Sequence, residues 1–176
     1  METELPIFGK ISLEEVEDSE YRFEASIWSY DFQGTPIDLT VHFKEAAQRS
    51  VSKVSLALNT LSKILLIGQK ALQQDFEEDE IVKEYIEEWN EDIFLQLLSE
   101  EEFERFIEKS DKAKSIQERL LSLLRIVRIG IYAESENSFI TMDFAFGYEQ
   151  EKGFRDDMLV VTLNPQLKVT NICTEG

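Results

Sequence analysis

The sequence predicts an α+β fold with one antiparallel sheet of about six strands, built from both ends of the chain, and with central helices packed on one face. Apolar and polar residues alternate near both ends of the chain, as in strands with one buried face. Between these segments, apolar residues recur every three or four positions, which is the period of an amphipathic helix. A chain of 176 residues with 43% apolar content can bury one core, so we expect a single domain over residues 1–176.

The first strands form a predicted β-hairpin. Every second residue is apolar in residues 21–27 and again in residues 37–43. Gly34 and Pro36 lie between these two segments, and both residue types favour turns. We expect two hairpin strands here, with a third short strand near residues 7–11.

The helical period begins after Lys44 and predicts one long helix of roughly 28 residues. Gly68 interrupts the apolar seam of this helix, and we expect a weakened turn there because glycine costs about 1 kcal/mol against alanine inside a helix. The seam is expected to pack on the protein's own sheet; the alternative is a homo-oligomer in which two copies pair along the seam. The seam consists of Val51, Val54, Leu58, Leu61, Leu65 and Leu72.

Three further helix starts are predicted from capping boxes, in which a short polar side chain accepts a backbone N–H and a Glu three residues later reaches back. The pairs with this spacing are Asp75 with Glu78, Ser99 with Glu102, and Ser115 with Glu118. The helix after Asp75 should bury Val82, Tyr85, Trp89, Ile93 and Leu97.

The last part of the chain returns to the strand period and predicts a four-stranded meander. Its strands are expected at residues 127–132, 139–146, 158–163 and 167–173. Residues 147–157 are polar and contain two glycines, so this segment is the expected mobile loop.

Composition excludes several classes of function. The net charge of -18 argues against nucleic acids and anionic membranes, which are bound through cationic patches. Cys173 is the only cysteine, which excludes an internal disulfide and fits a reducing compartment. The longest apolar run, residues 64–67, is too short to span a bilayer, so we expect a cytoplasmic protein.

The sequence contains no recognisable catalytic or cofactor-binding motif. The seven glycines never cluster into a phosphate-binding loop, and neither Gly-x-Ser-x-Gly nor His-Glu-x-x-His occurs. We therefore predict no catalytic residue, no cofactor and no enzymatic activity.

Charge is distributed unevenly along the chain. Residues 75–104 contain fourteen acidic side chains and one basic side chain, Lys83, whereas the flanking segments carry an excess of basic residues. The acids could pair with those flanking bases and otherwise serve solubility. A concentrated negative field would instead attract a basic protein partner, and we predict this function. The expected contact residues are Glu84, Glu87, Glu88, Glu91 and Asp92.

A metal-dependent enzyme is the alternative function. Asp156 and Asp157 lie where the polar loop enters a predicted strand, and Asp143 lies on a neighbouring strand. Three converging carboxylates could bind a hard cation through their oxygen atoms.

The order of elements also resembles that of small bacterial domain-of-unknown-function families. The resemblance rests on segments 23–27 and 37–41, a helical middle, and segments 140–144, 159–163 and 169–175. Some such families are regarded as candidate immunity proteins of toxin systems. The resemblance therefore implies a toxin as the partner, and it carries over no catalytic residue.

Overall fold

A computed structural model describes residues 2–12, 14–15, 20–45, 47–89, 94, 98–146 and 157–176. The fold is α+β, as the sequence predicts. The described strands are β1 (Glu2–Leu5), β2 (Gly9–Ser12), β3 (Glu14–Glu15), β4 (Phe23–Phe32), β5 (Thr35–Phe43), β6 (Arg125–Tyr132), β7 (Ile140–Ala145), β8 (Met158–Leu163) and β9 (Val169–Glu175). The described helices are α1 (Gln48–Leu58), α2 (Leu61–Glu77), α3 (Ile81–Glu88), α4 (Glu100–Ile107) and α5 (Ile116–Leu121).

The main sheet contains seven described strands in the order β3-β4-β5-β6-β7-β8-β9. The predicted β4–β5 hairpin and the β6–β9 meander are both confirmed. The short strand expected near residues 7–11 is β2, which pairs with β1 outside the main sheet.

The prediction of a purely antiparallel sheet is wrong, because β5 and β6 are parallel, with Leu39 opposite Ile129. A parallel pair needs a long crossover connection. The helical segment between β5 and β6 supplies that connection, so the two ends of the chain join in a mixed sheet.

One face of the sheet is apolar and the other is largely polar. Residues opposite one another in the register share a face. Leu39, Ile129, Met142 and Val161 form one such row, and all four are fully buried. Helix α2 packs on this face, because Gly68 lies directly over Met142. The expected packing of helices on one face is thus seen for α2.

The predicted long helix is two helices, α1 and α2, which are bent by 69° relative to one another. The break falls at Asn59–Thr60, where the Thr60 hydroxyl donates to the Leu56 carbonyl oxygen at 2.9 Å. Helix α2 continues through Gly68, where the sequence predicts a weakened turn. The bend allows Val54 in α1 and Ile64 in α2 both to be fully buried.

The capping box predicted at Asp75 is also wrong, because Asp75 lies inside α2 and is buried. Its Oδ1 instead accepts the backbone N–H of Val82 at 2.6 Å, at the start of α3. The capping boxes at Ser99 and Ser115 are confirmed.

Helix α3 buries Val82 and Tyr85, and Trp89 directly after it is buried too, as predicted. Ile93, Leu97 and most of the predicted loop, residues 147–156, lie outside the described residues.

Among the described residues, no single helix has the length and apolar character needed to cross a bilayer, although the bent α1–α2 pair passes both criteria when taken together.

Candidate functional site

An acidic cleft of about 420 Å³ lies between α3 and the C-terminal end of β9. Glu84 and Glu88 line it from α3, and Asp157 and Glu175 line it from the sheet. The described lining includes no Lys, Arg or His. We call this feature the acidic cleft.

Helix α3 presents one stripe of side chains to the cleft. Ile81, Glu84, Tyr85 and Glu88 have the spacing i, i+3, i+4, i+7, which places them on one helical face. Glu84 and Glu88 are exposed, whereas Tyr85 is buried at the base of the stripe. Helical periodicity thus directs two carboxylates into the cleft.

Aromatic packing fixes α3 against the sheet. The Tyr85 ring stacks on Phe146 with ring centroids 6.0 Å apart, and the Trp89 ring lies 5.2 Å from the same phenylalanine. The Tyr85 hydroxyl donates to the backbone carbonyl oxygen of Asp157 at 3.1 Å. This bond connects the two walls of the cleft, so Tyr85 holds both acidic walls in position.

The sheet wall comes from the start of β8 and the end of β9. Asp157 immediately precedes β8, and Glu175 lies opposite Met158 in the register. Cys173 also lines the cleft, where burial and the nearby carboxylate of Glu175 raise the pKa of its thiol. The thiol is therefore protonated at neutral pH, and this disfavours it as a nucleophile.

Two basic residues in or beside the acidic segment pair with acids outside the cleft. Lys83 forms an ion pair with Asp79, and the hydrogen bond to that carboxylate raises the pKa of Lys83. Arg105 pairs with Glu101 on its own helix at 3.1 Å. Within the part of the chain that the structure describes, no Lys or Arg forms an ion pair with Glu84, Glu88 or Glu175. For these three acids, pairing with flanking bases does not account for the charge.

The structure brings two of the five predicted contact residues into the cleft, Glu84 and Glu88. Glu87 is exposed on α3 but does not line the cleft. Glu91 and Asp92 lie outside the described residues.

The residues of the predicted metal site have other surroundings. Asp143 is 2% exposed and accepts a hydrogen bond from Nε of Arg128, which lies opposite it in the register. Burial raises the pKa of Asp143, while the charge of Arg128 acts in the opposite direction. Asp157 lines the acidic cleft, and Asp156 lies outside the described residues. The described residues contain no group of three or more His, Cys, Asp or Glu that could hold a metal ion.

Glu175 is a site residue that the sequence analysis missed. Its approach to α3 depends on the sheet placing the end of β9 beside that helix. No local spacing signals such a contact, because the two elements are far apart in the chain.

Comparison of the chain with models of protein families, with curated proteins and with solved structures finds no match. The resemblance noted from the order of elements therefore stays a prediction.

Proposed function

We propose that this protein is an interaction module that binds a basic protein partner through the acidic cleft. The observation that carries the proposal is a cleft lined by four carboxylates and, among its described residues, by no basic side chain. Negative charges on both walls of a cleft attract a cationic side chain placed between them. A Lys or Arg of the partner supplies that charge.

The walls of the cleft strengthen this attraction. Clefts lined by charges of one sign focus the electric field and accelerate the encounter with an oppositely charged partner. The net charge of -18 adds a long-range attraction for the same basic partner. The resemblance to candidate immunity proteins makes a basic toxin the partner class to test first.

The test uses a synthetic hepta-lysine peptide as the probe, with binding measured by calorimetry at low salt. The Glu84→Gln/Glu88→Gln variant should weaken binding by about tenfold, equivalent to about 1.4 kcal/mol. Raising the salt concentration to roughly 0.5 M should weaken binding to the unchanged protein strongly, because screening then acts over a few ångströms.

The matched control is Glu77→Gln/Glu87→Gln, which removes the same charge from exposed positions outside the cleft. Its affinity should fall by less than about threefold, since only the general field of the protein changes. Equal losses in both double variants would mean that net charge alone attracts the peptide, and the cleft would not be the binding site.

A further inference from the structure

Strand β9 is an edge of the main sheet, with β8 as its only neighbour among the described strands. Edge strands resist pairing with other chains when they are very short, carry several charged side chains or contain proline. Strand β9 has seven residues, contains no proline, and carries one charged side chain, Glu175. The β9 edge therefore lacks these protections.

A groove of about 630 Å³ runs beside the first half of β9. Its apolar wall comes from Ile67, Ala71 and Ile81 on the helical side and from Val169 and Ile172 on β9. Val169 is 40% exposed. We call this feature the β9 groove.

The β9 groove and the acidic cleft follow one another along the same strand. Residues 169–172 line the groove and residues 173–175 line the cleft, while Ile81 lines both. Asp75, Glu78 and Glu80 add three more acids to the groove, which has one base, Lys70, among its described lining residues. The edge thus offers backbone hydrogen-bonding positions that no described strand pairs with, together with apolar surface and a strong negative charge.

We propose that an extended segment of the basic partner adds to the sheet as a strand beside β9. The inference rests on the proposed function and specifies how the partner binds. An edge strand exposes backbone N–H and C=O groups that an extended peptide can pair with, while alternate side chains enter neighbouring pockets. Apolar side chains of the segment occupy the β9 groove, and a Lys or Arg further along reaches the acidic cleft. Charge complementarity selects this occupant over a second copy of the chain, whose own charge is -18.

The experiment uses the heptapeptide Val-Thr-Val-Thr-Lys-Thr-Lys with blocked ends, matched in length to β9, so that its valines and lysines lie on one face and can enter the β9 groove and the acidic cleft together. Hydrogen exchange of the backbone amides is followed by NMR with and without the peptide. Addition of a strand should slow the exchange of alternate amides in residues 169–175 by about tenfold or more, because those groups become hydrogen-bonded. The same peptide N-methylated at its three central residues keeps its charge but loses those donors, and it should bind at least about tenfold more weakly.

Two protein variants separate edge pairing from general charge effects. Val169→Lys adds a positive charge at the β9 groove, and Ile116→Lys adds the same charge on α5 at a residue that is 42% exposed. The first should weaken binding by about fivefold or more, and the second by less than about twofold.

The outcomes distinguish this inference from the proposed function. If both peptides bind equally well and amide exchange in β9 is unchanged, strand addition is overturned. The proposed function survives that result if Glu84→Gln/Glu88→Gln still weakens peptide binding. No effect of that double variant overturns the proposed function itself. Protection of β9 amides that rises with protein concentration in the absence of peptide would identify a second copy as the occupant, against our proposal.

Discussion

Asp143 is a buried carboxyl group on the polar face of the sheet, and its ionisation should affect stability. Burial raises its pKa in the folded protein above that of an unfolded chain, about 3.9. The folded state then binds the proton more tightly, so the stability linked to this group is present at low pH and is lost as pH rises through the folded pKa.

Asp143→Asn keeps the side-chain shape and removes this ionisation. The free energy of unfolding of the variant, minus that of the unchanged protein, should increase as pH rises from about 4 towards neutral. Urea melts at several pH values measure this difference. In Arg128→Gln the opposing positive charge is lost, so the fall in stability with pH should become larger than in the unchanged protein. A difference that shrinks as pH rises would mean that the Arg128 ion pair lowers the pKa of Asp143.

Gly68 has a packing role that helix propensity does not predict. Helix propensity alone predicts a weak turn. In the structure, the absence of a side chain at this position allows α2 to pack closely on the sheet. A Cβ at this position would lie 2.8 Å from Cε of Met142 and 3.1 Å from Cζ of Phe144. Close approach of α2 to the sheet, a property of tertiary structure, determines the role of this glycine.

Helix α3 depends on a residue of the preceding helix for its start. Its N-cap residue, Glu80, makes no side-chain capping bond, while the buried Asp75 accepts the N–H of Val82. A buried backbone donor without a partner costs roughly 1–3 kcal/mol. Because α3 carries Glu84 and Glu88, this bond also supports the acidic cleft.

Asp75→Ala should therefore lower the free energy of unfolding by about 1–3 kcal/mol. Denaturant melts give this value, and hydrogen exchange in residues 81–88 should accelerate at the same time. Asp79→Asn is the control, because Asn tolerates the left-handed backbone of this exposed residue (φ 65°) and removes only the charge that pairs with Lys83 at the surface. Equal losses in the two variants would show that charge near the start of α3, and not the buried bond, supports the helix.

Elements with a regular local period were the predictable part of this fold. The alternation in residues 37–43 corresponds closely to β5, which buries one face, and the mostly apolar segment 158–163 corresponds to β8, in which nearly every residue is buried. No glycine or proline marks the break at Asn59–Thr60, and the bend allows both helices to bury apolar side chains such as Val54 and Ile64. Glu84 and Glu88 were predictable from local charge density, whereas Glu175 required the tertiary structure.

At the scale of the whole molecule, the net charge of -18 opposes compactness. Self-repulsion destabilises the folded state, and salt reduces it as the screening length falls to about 3 Å at 1 M. Raising NaCl from about 0.01 M to 0.5 M should increase the free energy of unfolding in urea by roughly 1 kcal/mol or more.

The charge-reduced variant Glu77→Gln/Glu87→Gln provides the control for this effect. It should gain less stability from the same salt, because it has less repulsion to screen. A loss of stability in salt would instead show that the surface ion pairs stabilise the folded state by more than the charge repulsion destabilises it.

The parallel pairing of β5 with β6 has a consequence for how the chain folds. Leu39 and Ile129 are neighbours in the sheet, yet all five described helices lie between them in the chain. On a ribosome, the β4–β5 hairpin emerges long before the strand that completes its apolar face, and contacts between distant parts of a chain form slowly. The β5 edge of the hairpin therefore stays unpaired until β6 has been synthesised. The acidic helices that emerge before β6 keep the nascent chain strongly charged.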